Sequence, residues 1–410
     1  MFSLSLFYRG LLPLACPLLI MARAPAASFT LEAAVSHAIR YNPSLLVARA
    51  TLDEAAARVL QAGRRSNPEW EIEVKPNLTG REFSVSSGIA QRFPLTRRLH
   101  LEKDISASAL GMARMEVKLA ERTLGFEVRT LGVHWLALQQ HQAILAKQTG
   151  ASHELAAASA RTAAAGESAS TEAAQLELAT SQLSLETLQT NSRLATLTGS
   201  LRQQMGTSPG TPLVLTGNLS VPTLPEKPLL RPERHPSWQM AQLRESTARQ
   251  NIQLVQASRW EDLTVGLGLE RTHDDDAGAG MERGTAAVIR FSLPLPLKRH
   301  IAGHLAEAQA AARRTSLETG AVAARLATEA DAAHDEMQAL ATLHGKITAK
   351  LLPETEALEK RFQQLAKAGQ ATLSEVLRTR QQRFALEASA LDSRRDYHLA
   401  RLRYESASGH

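Results

Sequence analysis

Two hydrophobic rhythms alternate along this chain. In the long segments apolar residues return every seven positions. Leu176, Leu183, Thr190 and Leu197 share one position, and Thr180, Thr187, Leu194 and Leu201 fall four residues later. Leu377, Phe384 and Leu391 repeat at seven in the second half. Such a seam buries against partner helices as a coiled coil. Residues 97–148 alone would span ~75 Å as one helix at 1.5 Å per residue. The second rhythm has period two. Leu263, Val265, Leu267 and Leu269 alternate with Thr264, Gly266, Gly268 and Glu270; Ala287, Ile289, Phe291 and Leu293 follow the same rule. Trp70, Ile72 and Val74 alternate with Glu69, Glu71, Glu73 and Lys75, and Phe83, Val85 and Ile89 lie on a return strand. The pattern predicts hairpins over 69–92 and 262–293, with strand lengths that suit tilted membrane strands.

Each hairpin opens on a tryptophan and closes on a phenylalanine. Trp70, Phe93, Trp260 and Phe291 are therefore expected at one membrane level, as an aromatic girdle. Four strands cannot close a membrane barrel, and an open edge in lipid leaves backbone groups without partners. Other copies of the chain must complete it. The expected fold class is mainly α with a small β part: a long coiled-coil helical barrel continued by a membrane β-barrel.

The chain reads as a duplicated unit. Asn42-Pro43-Ser44 opens one helical stretch and His235-Pro236-Ser237 another. Pro94-Leu95-Thr96-Arg97-Arg98 is matched by Pro296-Leu297-Lys298-Arg299-His300, and Gly166 by Gly369. Pro43 and Pro236 are 193 residues apart, Pro94 and Pro296 202, Gly166 and Gly369 203. This divides the chain into a first repeat (27–205), a proline-rich linker (206–234), a second repeat (235–405) and a short tail (406–410). The two glycines mark helix-to-helix turns, where glycine takes the positive φ that a tight turn needs.

Composition sharpens the picture. Aromatic residues make up 4% of the 410, too few for ordinary layered cores, while Ala, Leu, Glu, Gln and Arg fill the long segments. The 47 Lys and Arg against 41 Asp and Glu are scattered and form no basic stripe, which argues against nucleic acid as a partner. At the N-terminus an apolar run from Leu11 to Met21 precedes Ala24-Pro25-Ala26. It is too short to span a bilayer as a helix and reads as a secretory signal peptide, residues 1–26. Cys16, the only cysteine, sits inside that run and not at its end, which speaks against lipidation.

The stretch from Phe29 to Leu45, with Leu31-Glu32-Ala33 and Asn42-Pro43-Ser44-Leu45, resembles the opening of the TolC family of outer-membrane efflux proteins. Together with the repeat, the hairpins and the glycine-marked turns, the resemblance covers essentially the whole mature chain. It implies a homotrimer with twelve strands in one barrel, a helical tube through the periplasm, and two partners: a periplasmic adaptor and an inner-membrane pump. Gln91-Arg92-Phe93-Pro94-Leu95 is most similar to the branch serving heavy-metal efflux of the cobalt–zinc–cadmium type. A duct for protein secretion of type I, or for organic compounds, shares the architecture and stays open as an alternative. The turns carrying Gly166, Ser168, Gly369 and Ala371 are expected to dock the adaptor. The positions where family members carry paired acids near the entrance hold Glu375 and Arg378 here. These two residues are the expected pore gate.

Catalytic and cofactor chemistry is not expected. His134 and His141 could share a helix face, and His300 and His304 are spaced to chelate. Neither pair has further ligands in a zinc pattern. No nucleophile elbow, metalloenzyme motif or nucleotide loop appears, so the reading is a passive, metal-free duct and not an enzyme.

Overall fold

The computed structural model describes residues 27–76, 83–164, 170–224, 226, 231–276, 280–295 and 301–409. The expected signal peptide with Cys16, the first turn with Gly166 and Ser168, and the basic run ending at His300 lie outside the described residues. In chain order the elements are β1 (Ala27–Phe29), α1 (Leu31–Tyr41), α2 (Pro43–Gln61), β2 (Glu69–Pro76), β3 (Phe83–Phe93), α3 (Arg98–Ala164) and α4 (Ser170–Met205). There follow β4 (Leu213–Leu215), α5 (Pro236–Ala257), β5 (Leu263–Asp276), β6 (Gly280–Ser292), α6 (Ile301–Lys346), α7 (Leu352–Lys367) and α8 (Leu373–Ser408). The 67 residues of α3 run for ~100 Å at the usual helical rise. The fold is mainly helical with a small antiparallel sheet.

The two hairpins join edge to edge in a four-stranded antiparallel sheet of order β2-β3-β5-β6. Trp70 lies opposite Ile89, Ile89 opposite Leu267, and Leu267 opposite Ile289. Residues directly opposite point to the same face, so one face carries Trp70, Ile72, Val74, Ile89, Leu267, Leu269 and Ile289. All seven are exposed. The other face carries Glu69, Glu71, Glu73, Lys75, Arg92, Glu270 and Arg290. Period two in the sequence thus becomes one oily face and one charged face.

The seven-residue seam packs α4 against α3. Leu176, Leu183, Thr190 and Leu201 are buried, and Thr180 and Thr187 satisfy their hydroxyls on the carbonyls of Leu176 and Leu183. One core gathers Ala34, Val35, Ala38, Val128, Trp135, Leu136, Leu201 and Met205 where α1, α3 and α4 meet. Trp135 donates its ring N–H to Thr198 Oγ1 at 3.1 Å. A second core sets Ala330, Ala333, Met337 and Ala341 of α6 against Tyr397, Ala400 and Tyr404 of α8. Its alanines let the helices approach closely, which compensates for the scarcity of aromatic residues.

The proline-rich segment is more than the connection the sequence suggested. β4 pairs in parallel with β1, Ala27 opposite Leu213. Further on, Tyr397 donates to the Thr223 carbonyl at 2.8 Å and His398 Nε2 meets the Ser220 carbonyl at 3.0 Å. The segment therefore straps the start of the described chain to α8. Three-residue strands and single side-chain bonds leave no periodic signal, which is why sequence reading saw only a linker.

The matched landmarks Asn42 and His235 do matching work. Asn42 Oδ1 accepts from the Leu45 N–H, capping α2, while Nδ2 donates to the Gln204 carbonyl at the end of α4. His235 Nδ1 accepts from the Ser237 N–H, capping α5, while Nε2 donates to the Ser406 carbonyl at the end of α8. Each residue ties the start of one helix to the end of another. The proline that follows fits the first helical turn, where no N–H partner exists.

Between α6 and α7 the helix widens into a π-turn, Ile347–Leu351, in which the Leu352 N–H reaches back to the Ile347 carbonyl. Pro353 lies just beyond. Its ring would clash with the carbonyl four residues earlier in a regular helix, and the wide turn relieves that clash.

Candidate functional site

The charged face of the sheet is held by ion pairs within and between strands. Arg92 lies 2.9 Å from Glu69, and Lys75 3.3 Å from Glu73. Arg290 of β6 contacts Glu73 at 3.2 Å and the Ser86 hydroxyl at 3.1 Å. The outer strands β2 and β6 are thereby linked across the face. In a flat sheet they would stand about 14 Å apart, so the sheet curls with its charged side concave.

The aromatic residues expected at one level lie at different levels of the sheet. Trp70 lies opposite Ile89, Phe291 opposite Val265 and Phe93 opposite Leu263, three successive levels of the apolar face. Trp260 precedes β5 in the turn that leaves α5. Pairing register, which composition at the strand ends does not encode, sets this stagger. Trp70 also donates its ring N–H to Ser87 Oγ at 3.0 Å.

At the far end of the helices α7 stops at Gly369, whose φ of 71° is left-handed. The Gln370 N–H returns to the Leu365 carbonyl at 2.9 Å, closing the helix end. Ala371 lies in the turn, and Thr372 opens α8 with a capping box: its hydroxyl accepts from the Glu375 N–H, and the Glu375 carboxylate accepts from the Thr372 N–H at 2.9 Å. Glu375 is thus bound back to the start of its own helix. Arg378, also exposed, lies one turn further, and among the described residues no ion pair joins it to Glu375.

Sequence reading missed a buried ionic cluster beside this end. Glu359 of α7 is 5% exposed. It meets Arg380 Nε at 2.9 Å, Arg383 Nε at 2.7 Å and Gln363 at 2.9 Å. Arg380 also donates to the Ala151 carbonyl of α3 at 3.0 Å. One carboxylate therefore fastens α7 to α8, and through Arg380 to α3. The available signal was two arginines three apart on a helix whose seam is otherwise apolar.

Several of the described histidines have structural partners. His344 is buried with Nδ1 near the Ala390 carbonyl (3.1 Å) and Ser393 Oγ (3.2 Å). His304 is an exposed partner of Glu307 at 3.9 Å. His134 is half-buried, and burial holds its pKa below the ordinary value. No group of three metal-ligating side chains occurs among the described residues.

No protein-family model and no curated protein sequence matches the chain. Solved structures do. The chain is similar to CusC, described as forming a transmembrane channel, with TM-score 0.77 and 15% identity over 93% of this chain and 92% of that one. It is similar to the outer membrane protein VceC from Vibrio cholerae, TM-score 0.75 and 17% identity over 92% and 96%. The CmeC outer membrane channel of Campylobacter jejuni follows at 0.72 and 11% identity over 92% and 85%. The fold is that of these outer-membrane channels.

Proposed function

We propose that this chain is a subunit of an outer-membrane duct in a tripartite efflux system. One observation carries the reading: a curled four-stranded sheet with an apolar outer face, a charged concave face and two edges left unpaired among the described residues. An apolar exterior around a charged interior suits a barrel in lipid. The unpaired edges of β2 and β6 call for further strands, and three copies would bring twelve. No described helix is long and apolar enough to cross a membrane. Exposed leucines on the helices (Leu178, Leu185 and Leu188 on α4, Leu358 on α7) supply apolar surface for neighbouring subunits.

In this reading residues 1–26 direct export, two repeats (27–205 and 235–405) build the tube, and the strap 206–234 girds it. The helical ends at Gly166, Ser168, Gly369 and Ala371 dock a periplasmic adaptor, which couples the duct to an inner-membrane pump. Glu375 and Arg378 stand at the entrance. The duct is passive, and its cargo is heavy-metal cations of the cobalt–zinc–cadmium type, as the sequence resemblance suggests. Cell fractionation followed by native mass measurement of the full chain should find a trimer in the outer membrane. A soluble periplasmic monomer would overturn the reading. Cells lacking the gene should lose tolerance to cobalt, zinc or cadmium; loss of tolerance to organic compounds alone would reassign the cargo.

A further inference from the structure

The arm of Arg290 is unusual for a surface arginine because of where it lies. It starts on β6 opposite Gly266 of β5 and ends on β2, beyond two intervening strands. Nη2 sits 3.2 Å from Glu73 Oε2 and 3.1 Å from Ser86 Oγ, and Nη1 3.8 Å from Glu71 Oε2. Glycines floor this stretch of the wall. A Cβ at Gly266 would meet the Cβ of Arg290 at 3.6 Å. A Cβ at Gly88 would come within 2.8 Å of the Leu267 carbonyl, and one at Gly268 within 2.9 Å of the Ser87 carbonyl. The strands approach too closely here for side chains, and that approach both curls the sheet and clears a lane for the guanidinium.

The lane leads to the acids. Among the described side chains the concave face holds Glu69, Glu71, Glu73 and Glu270 against Lys75, Arg92 and Arg290. Arg92 pairs with Glu69, and Lys75 shares Glu73 with Arg290. Arg290 alone reaches both Glu71 and Glu73. Two carboxylates side by side on one strand, without that cation, would offer a divalent ion the oxygen ligands it prefers.

We propose that Arg290 is a tethered counter-cation of the duct wall: it occupies the Glu71 and Glu73 carboxylates so that permeating cations are drawn to the bore but not retained there. The proposal rests on the duct reading. The guanidinium is planar and permanently charged, and it spans both acids in a way that a hydrated ion in transit cannot displace cheaply. The described face keeps one more acid than base per chain, which leaves a mild preference for cations.

The test uses the purified full chain in planar bilayers, with reversal potentials in a potassium chloride gradient and current in added zinc chloride. The parent should be weakly cation-selective and conduct in millimolar zinc. Arg290→Gln should raise the potassium-to-chloride permeability ratio about twofold and make the current zinc-sensitive. Arg290→Lys should stay nearer to the parent. Glu71→Gln with Glu73→Gln should shift selectivity toward anions, a result that does not depend on Arg290→Gln assembling. Parent-like reversal potentials and zinc responses in conducting Arg290→Gln and in the double glutamine variant would overturn the proposal. A parent trimer that never conducts would instead sink the duct reading, and the proposal with it.

Discussion

At the scale of single residues, position in the pattern decides what a charge costs. Leu267 lies on the apolar face and is 62% exposed to what the proposed duct makes lipid. Leu267→Arg should cost about 2–4 kcal/mol near the bilayer midplane. Thr264→Arg, on the concave face, should be far milder. Barrel assembly assayed by heat-modifiable gel mobility will rank the two, and equal loss would show that the faces are misassigned. The alternation that separates these residues is legible in the sequence because it is local. Glu359 is the opposite case: its partners Arg380 and Arg383 lie on another helix, and no spacing along the chain foretells the meeting. Glu359→Gln removes the buried carboxylate that Arg380 and Arg383 share, leaving Arg383 only the more distant Glu387, and should cost about 3–5 kcal/mol. Glu356→Gln removes only the exposed pair with Lys360 and should cost less than about 1 kcal/mol. Thermal unfolding followed by circular dichroism would separate them.

At the scale of elements, the helix seams and both hairpins follow from periodicity alone. The strap from β4 to Thr223 does not, because single bonds and short strands carry no period. The matched helix ties at Asn42 and His235 were visible only as a shared proline motif. They differ in one property, since asparagine does not titrate. Burial, and then the nearby Arg122 charge, hold the His235 pKa below its ordinary value. The folded chain therefore keeps this ring neutral, with Nδ1 free to accept from Ser237. Above an unfolded pKa of about 6.5 the contribution is complete. As pH falls below it the unfolded chain takes up the proton first, and stability drains away until pH passes the lowered folded value. His344 and His398, also lowered mainly by burial, act in the same direction. His235→Asn should reproduce the Asn42 arrangement. Its melting temperature should fall less than the parent's between pH 7.5 and 5; identical slopes would show that His235 does not contribute.

At the scale of the whole molecule, the need for an assembly is legible in the sequence, because four strands leave two edges open. The stagger of Trp70, Phe93 and Phe291 is not, because it depends on the register between strands. The docking end is proposed at the turn around Gly369, so a photo-crosslinker at Ala371 should capture the adaptor in cells. Capture from Arg97 but not Ala371 would place the contact near the barrel instead. The π-turn at Ile347–Leu351 has a wider consequence. Before it, buried positions in the two halves lie 202 residues apart: Leu124 and Leu326, Val128 and Ala330, Trp135 and Met337, Leu145 and Ile347. After it they lie 203 apart: Leu176 and Thr379, Thr190 and Ser393, Leu201 and Tyr404, Met205 and Ser408. Over the long helices the second half thus carries one residue more than the first, and the wide turn is where the surplus is stored. An extra residue in a straight helix would rotate everything beyond it by about 100°. Stored as a bulge, it leaves both seams in phase over the remaining length of the tube. Deleting Thr348 together with Pro353→Ala should therefore restore an unbroken helix and leave folding nearly unchanged. Deleting Ala321 from the regular part of α6 should turn the downstream core outward and abolish assembly.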